Sequence, residues 1–231
     1  NTIRNFDLVA LQNLRVRDPG KLDLITEQLN ARGRHYEYVI SPGQASSTGV
    51  FNAFLFDRAS IEVDRDKVFD WVDPHQRFNV RPLSAMFRVR GPATNQAFTF
   101  VAINVYIDPT ERENELGLLP EVLDAVKQNY PGEDDMILFG SFQAAPGDLG
   151  VIENEPGMTH VAEGLTSMVQ NDYLADNLLF DRRATIEYVG DWGVYDLGRG
   201  LKLKPAQTLD VTRHLPVWAK FSIYEGGRFI K

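Results

Sequence analysis

Short apolar segments separated by turn signals dominate the first half of the chain and limit the folds open to it. They cover residues 36–40, 50–56, 86–90 and 98–106, and Pro-Gly, Asp-Arg and Gly-Pro dipeptides bound them. Residues 61–71 are more polar but are also expected to form a strand. Apolar runs of this length between turn residues predict strands. Connections this short favour hairpins over crossovers, because antiparallel neighbours need only a tight turn. The chain is therefore expected to form mostly antiparallel sheet.

Two helices are predicted among these strands. The first follows a buried strand at residues 6–12 and begins at Asp18 and Pro19, an N-cap and first-turn pair. The second covers residues 116–130 and leads into a buried strand at residues 136–142. Apolar residues recur at helical spacing in both: Leu22, Ile25 and Leu29 in the first, and Leu119, Val122, Leu123 and Val126 in the second.

Further strands are predicted at residues 177–180, 185–189 and 217–224. Mostly antiparallel strands with a few helices imply two packed sheets with helices outside, an α/β (α+β) sandwich. No repeat, low-complexity tract or linker rich in Pro, Gly or Ser divides the sequence, so residues 1–231 are expected to form a single domain.

Composition narrows the possible functions. The 231 residues are 43% apolar, enough for a well-buried core. A net charge of −8 opposes tight unspecific binding to nucleic acid, which takes a surplus of Lys and Arg on some face. Because there are no cysteines, disulfides, thiolate metal sites and a Cys nucleophile are excluded. The compartment stays open, and no apolar run reaches the roughly 18 residues of a membrane span.

The segment ILFGSFQA at residues 137–144 carries the most specific signal. It resembles the Gly-Asp-Phe-Asn-Ala signature of the DNase I-like endonuclease/exonuclease/phosphatase superfamily, with Ser141 and Gln143 in place of its Asp and Asn. The similarity follows the motif order of that superfamily along most of the chain and is closest to its bacterial members. It implies a four-layer sandwich and metal-dependent phosphoesterase or nuclease chemistry.

Other segments of this sequence also resemble superfamily motifs in their apolar residues and differ from them at the polar functional positions. DLVALQNLR at residues 7–15 is similar to a segment whose Glu binds Mg²⁺, and Asn13 stands at that position. Val50 lies nearest to a second family carboxylate, and Tyr106 takes the place of a His in the segment NVYIDP. Arg213 replaces the Asp of the closing motif in TRHLPV at residues 212–217.

Two family positions are retained. The closing motif keeps its histidine, His214, and the segment DNLLF at residues 176–180 resembles the strand whose Asp orients that histidine, which implies a pair of Asp176 and His214. Two interpretations of His214 stay open, a hydrogen-bonded remnant of the fold or a member of this dyad.

Ser141 is not in a G-x-S-x-G elbow, so a serine hydrolase is disfavoured.

Mg²⁺ is a hard ion that sites hold through one or two carboxylates with waters and substrate phosphate. Because the matched positions offer mainly neutral or basic side chains, we expect no metal, no cofactor and no intact catalytic set in the cleft. The sequence thus favours a catalytically impaired domain kept as a binding or structural module, for an unknown protein or an anionic small ligand. The alternative is a phosphodiesterase or nuclease that works with Mg²⁺ or Mn²⁺ through a rearranged site.

Three further expectations concern regions outside these motifs. Glu133-Asp134-Asp135 and Asp64-x-Asp66 are expected to be solvated turns, because they lack the glycine and terminal glutamate of a calcium loop. Residues 111–115 (ERENE) are expected to form a solvated loop or the entry of a helix. The superfamily also opens with a strand that this sequence lacks, so we expect either an omitted N-terminal stretch or an exposed sheet edge.

Overall fold

The computed structural model describes residues 2–15, 20–41 and 49–227, and sheet forms its centre. Within these ranges there are eleven strands: β1 (Leu8–Arg15), β2 (Tyr36–Ile40), β3 (Val50–Asp57), β4 (Ile61–Asp70), β5 (Leu83–Val89), β6 (Thr99–Tyr106), β7 (Met136–Ser141), β8 (Met158–His160), β9 (Asp176–Asp181), β10 (Tyr188–Val194) and β11 (Val217–Phe221). The same ranges contain five α-helices: α1 (Gly20–Asn30), α2 (Arg112–Gly117), α3 (Leu119–Asn129), α4 (Leu197–Leu201) and α5 (Pro205–Val211). Short 3₁₀ helices cover Thr2–Asn5, Gly150–Asn154 and Glu225–Gly227.

The larger sheet has six strands in the order β4-β5-β6-β7-β9-β8. Its neighbours are antiparallel except β6 and β7, which run parallel. A parallel pair needs a crossover connection, and α2 and α3 lie on the connection between β6 and β7. Two smaller antiparallel sheets, β1-β3-β2 and β10-β11, complete the strands.

Both smaller sheets pack on one face of the six-stranded sheet. Their aromatic side chains meet those of the larger sheet, for example Phe54 against Phe87 at 5.5 Å and Phe180 against Phe221 at 5.8 Å between ring centroids. Helix α3 covers the opposite face with Leu119 and Val122. Helix α1 lies outside the three-stranded sheet, where Leu29 contacts the cluster around Leu55. The result is a helix–sheet–sheet–helix sandwich, which confirms the fold class expected from the sequence.

Most predicted strands are present, with ends moved by a few residues. The exception is the strand expected at residues 185–189, which begins only at Tyr188, because Thr185 and Glu187 are buried polar residues in the turn before it. Strand β8 and helices α4 and α5 were not predicted, since each is short and has no clear apolar period.

The helix predictions need two corrections. The single helix expected at residues 116–130 is two helices separated at Leu118, and Pro120 stands in the first turn of α3, where a missing N–H has no cost. In α1 Ile25 is 37% exposed, and Thr26 takes the inward position, with its hydroxyl donating to the backbone oxygens of Leu22 and Asp23. The predicted start at Asp18 and Pro19 lies outside the described residues.

None of the helices in the described ranges is long and apolar enough to span a bilayer.

Candidate functional site

A row of three polar side chains crosses adjacent strands at one end of the six-stranded sheet. Tyr106 ends β6 and pairs with Ser141, the last residue of β7, which pairs in turn with Asp176 at the start of β9. Side chains alternate between the faces of a strand. Each member of the row is four residues from a core residue between the two sheet layers: Ala102, Ile137 and Phe180. The row therefore faces the second layer of strands, at the rim of the sandwich. This rim, with Tyr106, Ser141 and Asp176 at its centre, is called the cleft below.

Gly140 sets the close approach of β6 and β7 beside this row. A Cβ built at Gly140 would lie 2.3 Å from the backbone oxygen of Val105, closer than real Cβ contacts come. A larger residue would push the two strands apart and displace Ser141. The glycine of the 137–144 motif thus has a packing reason that is independent of any chemistry.

Two buried amides, Asn52 and Asn104, and the half-buried Gln12 join the two sheet layers below the row. The side chain of Asn104 on β6 donates to the backbone oxygens of Leu11 at 3.0 Å and Ala53 at 2.9 Å, and it accepts a hydrogen bond from Gln12 at 2.9 Å. Asn52 on β3 donates to the backbone oxygen of Asn104 at 3.2 Å. Asn52 and Asn104 are both fully buried. Because paired buried amides hold a fixed geometry, this network sets the position of β1 against the end of β6.

Asn13 comes from this second layer and reaches the row. The pairing of β1 with β3 is irregular between Leu11 and Leu14, and Asn13 there has a φ of 52°, in the left-handed region. Its backbone N–H donates to the Asn52 side chain at 3.2 Å. Its side chain interacts with the Tyr106 hydroxyl. Asparagine adopts this conformation more readily than most residues, so the irregularity brings its amide into the cleft.

The pKa of Tyr106 is raised, chiefly by burial of the phenol, with Asp108 adding to the effect and the Asn13 side chain opposing it. A tyrosine that ordinarily titrates near pH 10 thus keeps its proton throughout the neutral range. Tyr106 is a hydrogen-bond donor in the cleft.

Gln143 completes the polar lining. Its side-chain amide donates to the Ser141 hydroxyl at 2.8 Å, and its backbone oxygen accepts a hydrogen bond from the Tyr173 hydroxyl at 2.8 Å. Its φ is 52°, a left-handed conformation that a non-glycine residue keeps only where its surroundings hold it. The backbone at Gln143 is therefore shaped by the site around it.

Asp176 and His214 form a hydrogen-bonded pair. The Nδ1 atom of His214 lies 2.9 Å from Oδ2 of Asp176 and 3.1 Å from Oδ1. The buried Ser167 hydroxyl donates to Oδ2 at 2.6 Å and accepts from the backbone N–H of Ala175 at 2.9 Å. The hydrogen bond to Asp176 raises the pKa of His214, while burial and the nearby Arg213 act against it. The geometry holds Nδ1 against the carboxylate and directs Nε2 to the other side of the ring.

The other predicted positions lie at the edge of the cleft. Arg213 is exposed, and its backbone oxygen accepts a hydrogen bond from Val169. Val50 is buried at the start of β3, opposite Arg15, on the same face of the strand as Asn52. Val50 therefore gives the cleft an apolar wall, and Arg213 supplies positive charge from outside.

Sequence reasoning missed the buried Ser167 and Asn52. Asn52 could have been found, because it is the one polar residue inside the apolar run VFNAFLF at residues 50–56. A lone polar residue that a strand buries needs hydrogen-bond partners. Ser167 left no signal, since its role depends on a loop that the tertiary fold brings to Asp176.

The cleft residues do not fit the Mg²⁺ site that the superfamily implies. The position matched to its Glu ligand holds Asn13, and the neighbouring Ser141 and Gln143 are also neutral. The Asp176 carboxylate in the row is already engaged by His214 and Ser167. A hard divalent ion is held by carboxylates. Among the described residues, the side-chain groups that could hold such an ion lie elsewhere, around Asp135.

Two acidic segments expected to be solvated are partly buried. Glu115 in α2 is fully buried, and its carboxylate accepts backbone N–H groups of Asn79 at 2.8 Å and Asp108 at 2.7 Å. Asp135 is 2% exposed, and burial raises its pKa to about 8. The expected solvation was wrong for Glu115 and Asp135, because other segments of the chain cover these side chains. Residues 111–115 otherwise form the expected helix entry, with Glu111, Glu113 and Asn114 exposed, and Asp134 is exposed as well. Asp64 and Asp66 are solvated as expected, but on β4 and not in a turn.

No protein-family model and no curated protein sequence matches this chain. Solved structures match its fold. D. rerio TDP2 complexed with single strand DNA product has a TM-score of 0.61 at 14% identity, over 96% of this chain and 88% of that one. A Bacteroides thetaiotaomicron mannosyl-6-phosphatase has a TM-score of 0.59 at 11% identity, over 95% and 86% of the two chains.

The human Nocturnin catalytic domain with bound sulfate anion gives a TM-score of 0.58 at 12% identity, over 96% of this chain and 82% of that one. A Bacteroides thetaiotaomicron endonuclease/exonuclease/phosphatase family protein gives 0.58 at 11% identity, over 94% and 82%. Likeness at these identities establishes the fold. The chain shares the fold of these proteins, which confirms the DNase I-like fold that its motifs indicated.

Proposed function

We propose that this chain is a DNase I-like domain that binds an anionic, phosphate-like group in its cleft and does not hydrolyse it. The observation that carries the proposal is the composition of the cleft. Three neutral donors, Tyr106, Ser141 and Gln143, line the rim together with the His214 imidazole, and the one carboxylate among them is engaged by His214.

The electrostatics favour an anion over a cation. The Asp176 carboxylate stabilises the protonated form of His214, whose pKa is raised. The protonated ring then presents an Nε2–H to the cleft, and charge-assisted hydrogen bonds to an anion are the stronger kind. Arg213 adds positive charge nearby, in keeping with its effect on His214.

The same composition argues against hydrolysis. Phosphoryl transfer depends on positioning the phosphate and on neutralising charge that develops on its oxygens. The superfamily meets this need with a metal ion, whose carboxylate ligands are replaced here. Removal of one such electrostatic group commonly slows a reaction by about 10²-fold or more, and here several positions differ. The human Nocturnin domain with bound sulfate anion supports the view that this fold can hold a tetrahedral anion.

The test of binding is a titration of inorganic phosphate and sulfate into the protein, followed by NMR shifts of the histidine ring protons. We expect saturable shifts at His214 with a dissociation constant on the order of 1 mM, and weaker binding for Gln143→Ala. The exposed Asn95→Ala is the matched control and should bind like wild type. Absence of any shift at His214 would refute the anion site.

A second candidate is a phosphodiesterase with a rearranged site, which the Asp176–His214 pair favours. The ring is oriented by Asp176, and Asp176 by Ser167, as in a general base that is held by a second residue. Similar folds include a mannosyl-6-phosphatase and TDP2 complexed with a DNA product. This candidate requires chelator-sensitive turnover that disappears in Asp176→Asn.

A further inference from the structure

Three carboxylates converge at the end of the sandwich opposite the cleft. Asp135 immediately precedes β7, Glu187 precedes β10, and Glu225 begins the last 3₁₀ helix. One oxygen of each lies within 4.8 Å of the others. Strand β7 separates this group from Ser141 by six residues, which is roughly 20 Å at the usual rise of a strand. The group is thus independent of the cleft.

The inner part of this group is buried, and two of its carboxylate oxygens are unpaired in the described part of the chain. Asp135 is 2% exposed and Glu187 is 1% exposed. Among the described residues, Oδ1 of Asp135 and Oε2 of Glu187 have no hydrogen-bond partner. The hydroxyl of Thr185, which is 1% exposed, lies beside Asp135. Buried polar atoms are nearly always paired, so two unpaired carboxylate oxygens in one place indicate a missing partner.

Backbone contacts hold two of the carboxylates in place. Oε1 of Glu187 accepts the N–H of Gly226 at 2.6 Å, and Oε2 of Glu225 accepts the N–H of Thr99 at 3.2 Å. Each keeps its other oxygen for a ligand. Gly227 packs so closely that a Cβ there would lie 2.8 Å from the backbone oxygen of Ile186. The turn that carries Glu225 is therefore fixed against the segment that carries Glu187.

The neighbouring acids have other roles. The Glu133 carboxylate accepts the backbone N–H of Asp135 at 3.0 Å and the hydroxyl of Thr99 at 2.8 Å, so it positions the group from outside. Asp134 is exposed. None of the salt bridges among the described residues reaches Asp135, Glu187 or Glu225.

We infer that Asp135, Glu187 and Glu225 bind a hard divalent cation of the Ca²⁺ or Mg²⁺ class at the end of the sandwich opposite the cleft. The donors are all oxygen, the ligand type that such ions prefer. The ion neutralises carboxylates that would be costly to bury unpaired. It also joins three segments far apart in sequence: the entry of β7, the turn before β10 and the C-terminal 3₁₀ helix. Its role is structural.

The experiment uses the whole chain after removal of bound metal with a chelator. CaCl₂ and MgCl₂ are titrated separately by calorimetry, and melting is followed with and without each ion. We expect one saturable site and a rise in Tm of about 5–10 °C at saturation. Glu187→Gln and Glu225→Gln should lose both effects. Glu225 is exposed, so its variant is expected to fold even if Glu187→Gln does not.

Two controls place the ion. Glu27→Gln removes an exposed carboxylate of α1 and should bind like wild type. Gln143→Ala alters the cleft and should also keep the full binding and the full Tm shift, which separates this site from the anion site proposed above. No binding of either ion to the wild type at millimolar concentration would overturn the inference, and so would unchanged binding in Glu225→Gln.

Discussion

Replacement of Asn104 by alanine tests the amide network that holds the two sheet layers together under the cleft. The fully buried side chain donates to the backbone oxygens of Leu11 and Ala53 and accepts from Gln12. A buried polar group that loses its partner costs about 1–3 kcal/mol, and Asn104→Ala leaves two carbonyls and one amide without theirs. Water can reach Leu11 and Gln12, which are half-buried, but not the fully buried Ala53. We therefore expect a loss of about 3–4 kcal/mol in the free energy of unfolding, below the simple total.

The assay is urea unfolding followed by circular dichroism, with a thermal melt as a second measure. For a chain of this size each kcal/mol moves Tm by roughly 2–4 °C, so the expected fall is about 6–16 °C. Asn95→Ala is the matched control, since Asn95 is exposed and its replacement should change stability by about 0.5 kcal/mol at most. If Asn104→Ala lost no more than about 1 kcal/mol, the network would not be the cross-sheet link inferred here.

Two further predictions concern the same end of the sandwich. Gly140→Ala should destabilise by about 2–3 kcal/mol in urea unfolding, because its Cβ would meet backbone at 2.3 Å, whereas Gly117→Ala, with open space around it, should be near neutral or slightly stabilising; equal effects would contradict the packing argument. The pKa of His214 is raised from 6.5, so its pair with Asp176 stabilises the fold fully below pH 6.5, and this contribution is lost as pH rises through the folded-state pKa. The difference in unfolding free energy between wild type and His214→Gln should thus shrink from pH 6 to pH 9, and a difference independent of pH would refute the role of the charged pair.

The strands could be predicted because local pattern decides them. Residues 36–40, 50–56 and 98–106 are apolar runs between turn residues, and the sheet buries them as such. The order of the motifs then predicted how the sheets are layered. Motif residues at the ends of β1, β6, β7 and β9 must lie at one rim of the sandwich if the fold is to form a cleft. These features depend on spacing along the chain, which the sequence contains.

Burial of charged residues could not be predicted in this way. Asp135 and Glu115 stand in acidic stretches that look solvated, and their surroundings come from segments remote in sequence, such as Glu187 for the first and Asn79 for the second. The orienting hydrogen bond from Ser167 to Asp176 has the same origin. Local composition describes what a segment can do alone, and tertiary partners decide what happens to its charges.

The expectation of a chain without metals stays a prediction, and the distal site inferred above bears on it. The cleft lacks a carboxylate set for a hard cation, whereas the group around Asp135 offers one. A chelator therefore acts on stability through the distal site even when no chemistry depends on it. For this reason sensitivity to a chelator alone does not identify a catalytic metal, and a cleft variant is needed beside it.

The measurement that tests the central claim most directly is hydrolysis of bis-p-nitrophenyl phosphate and plasmid DNA with saturating Mg²⁺ or Mn²⁺, in wild type and Asp176→Asn, each with and without chelator. A binding module with a cleft unsuited to a metal predicts rates equal to the protein-free background in every sample. Turnover by the wild type that the chelator removes and Asp176→Asn lacks would show that the cleft still carries out phosphodiester chemistry.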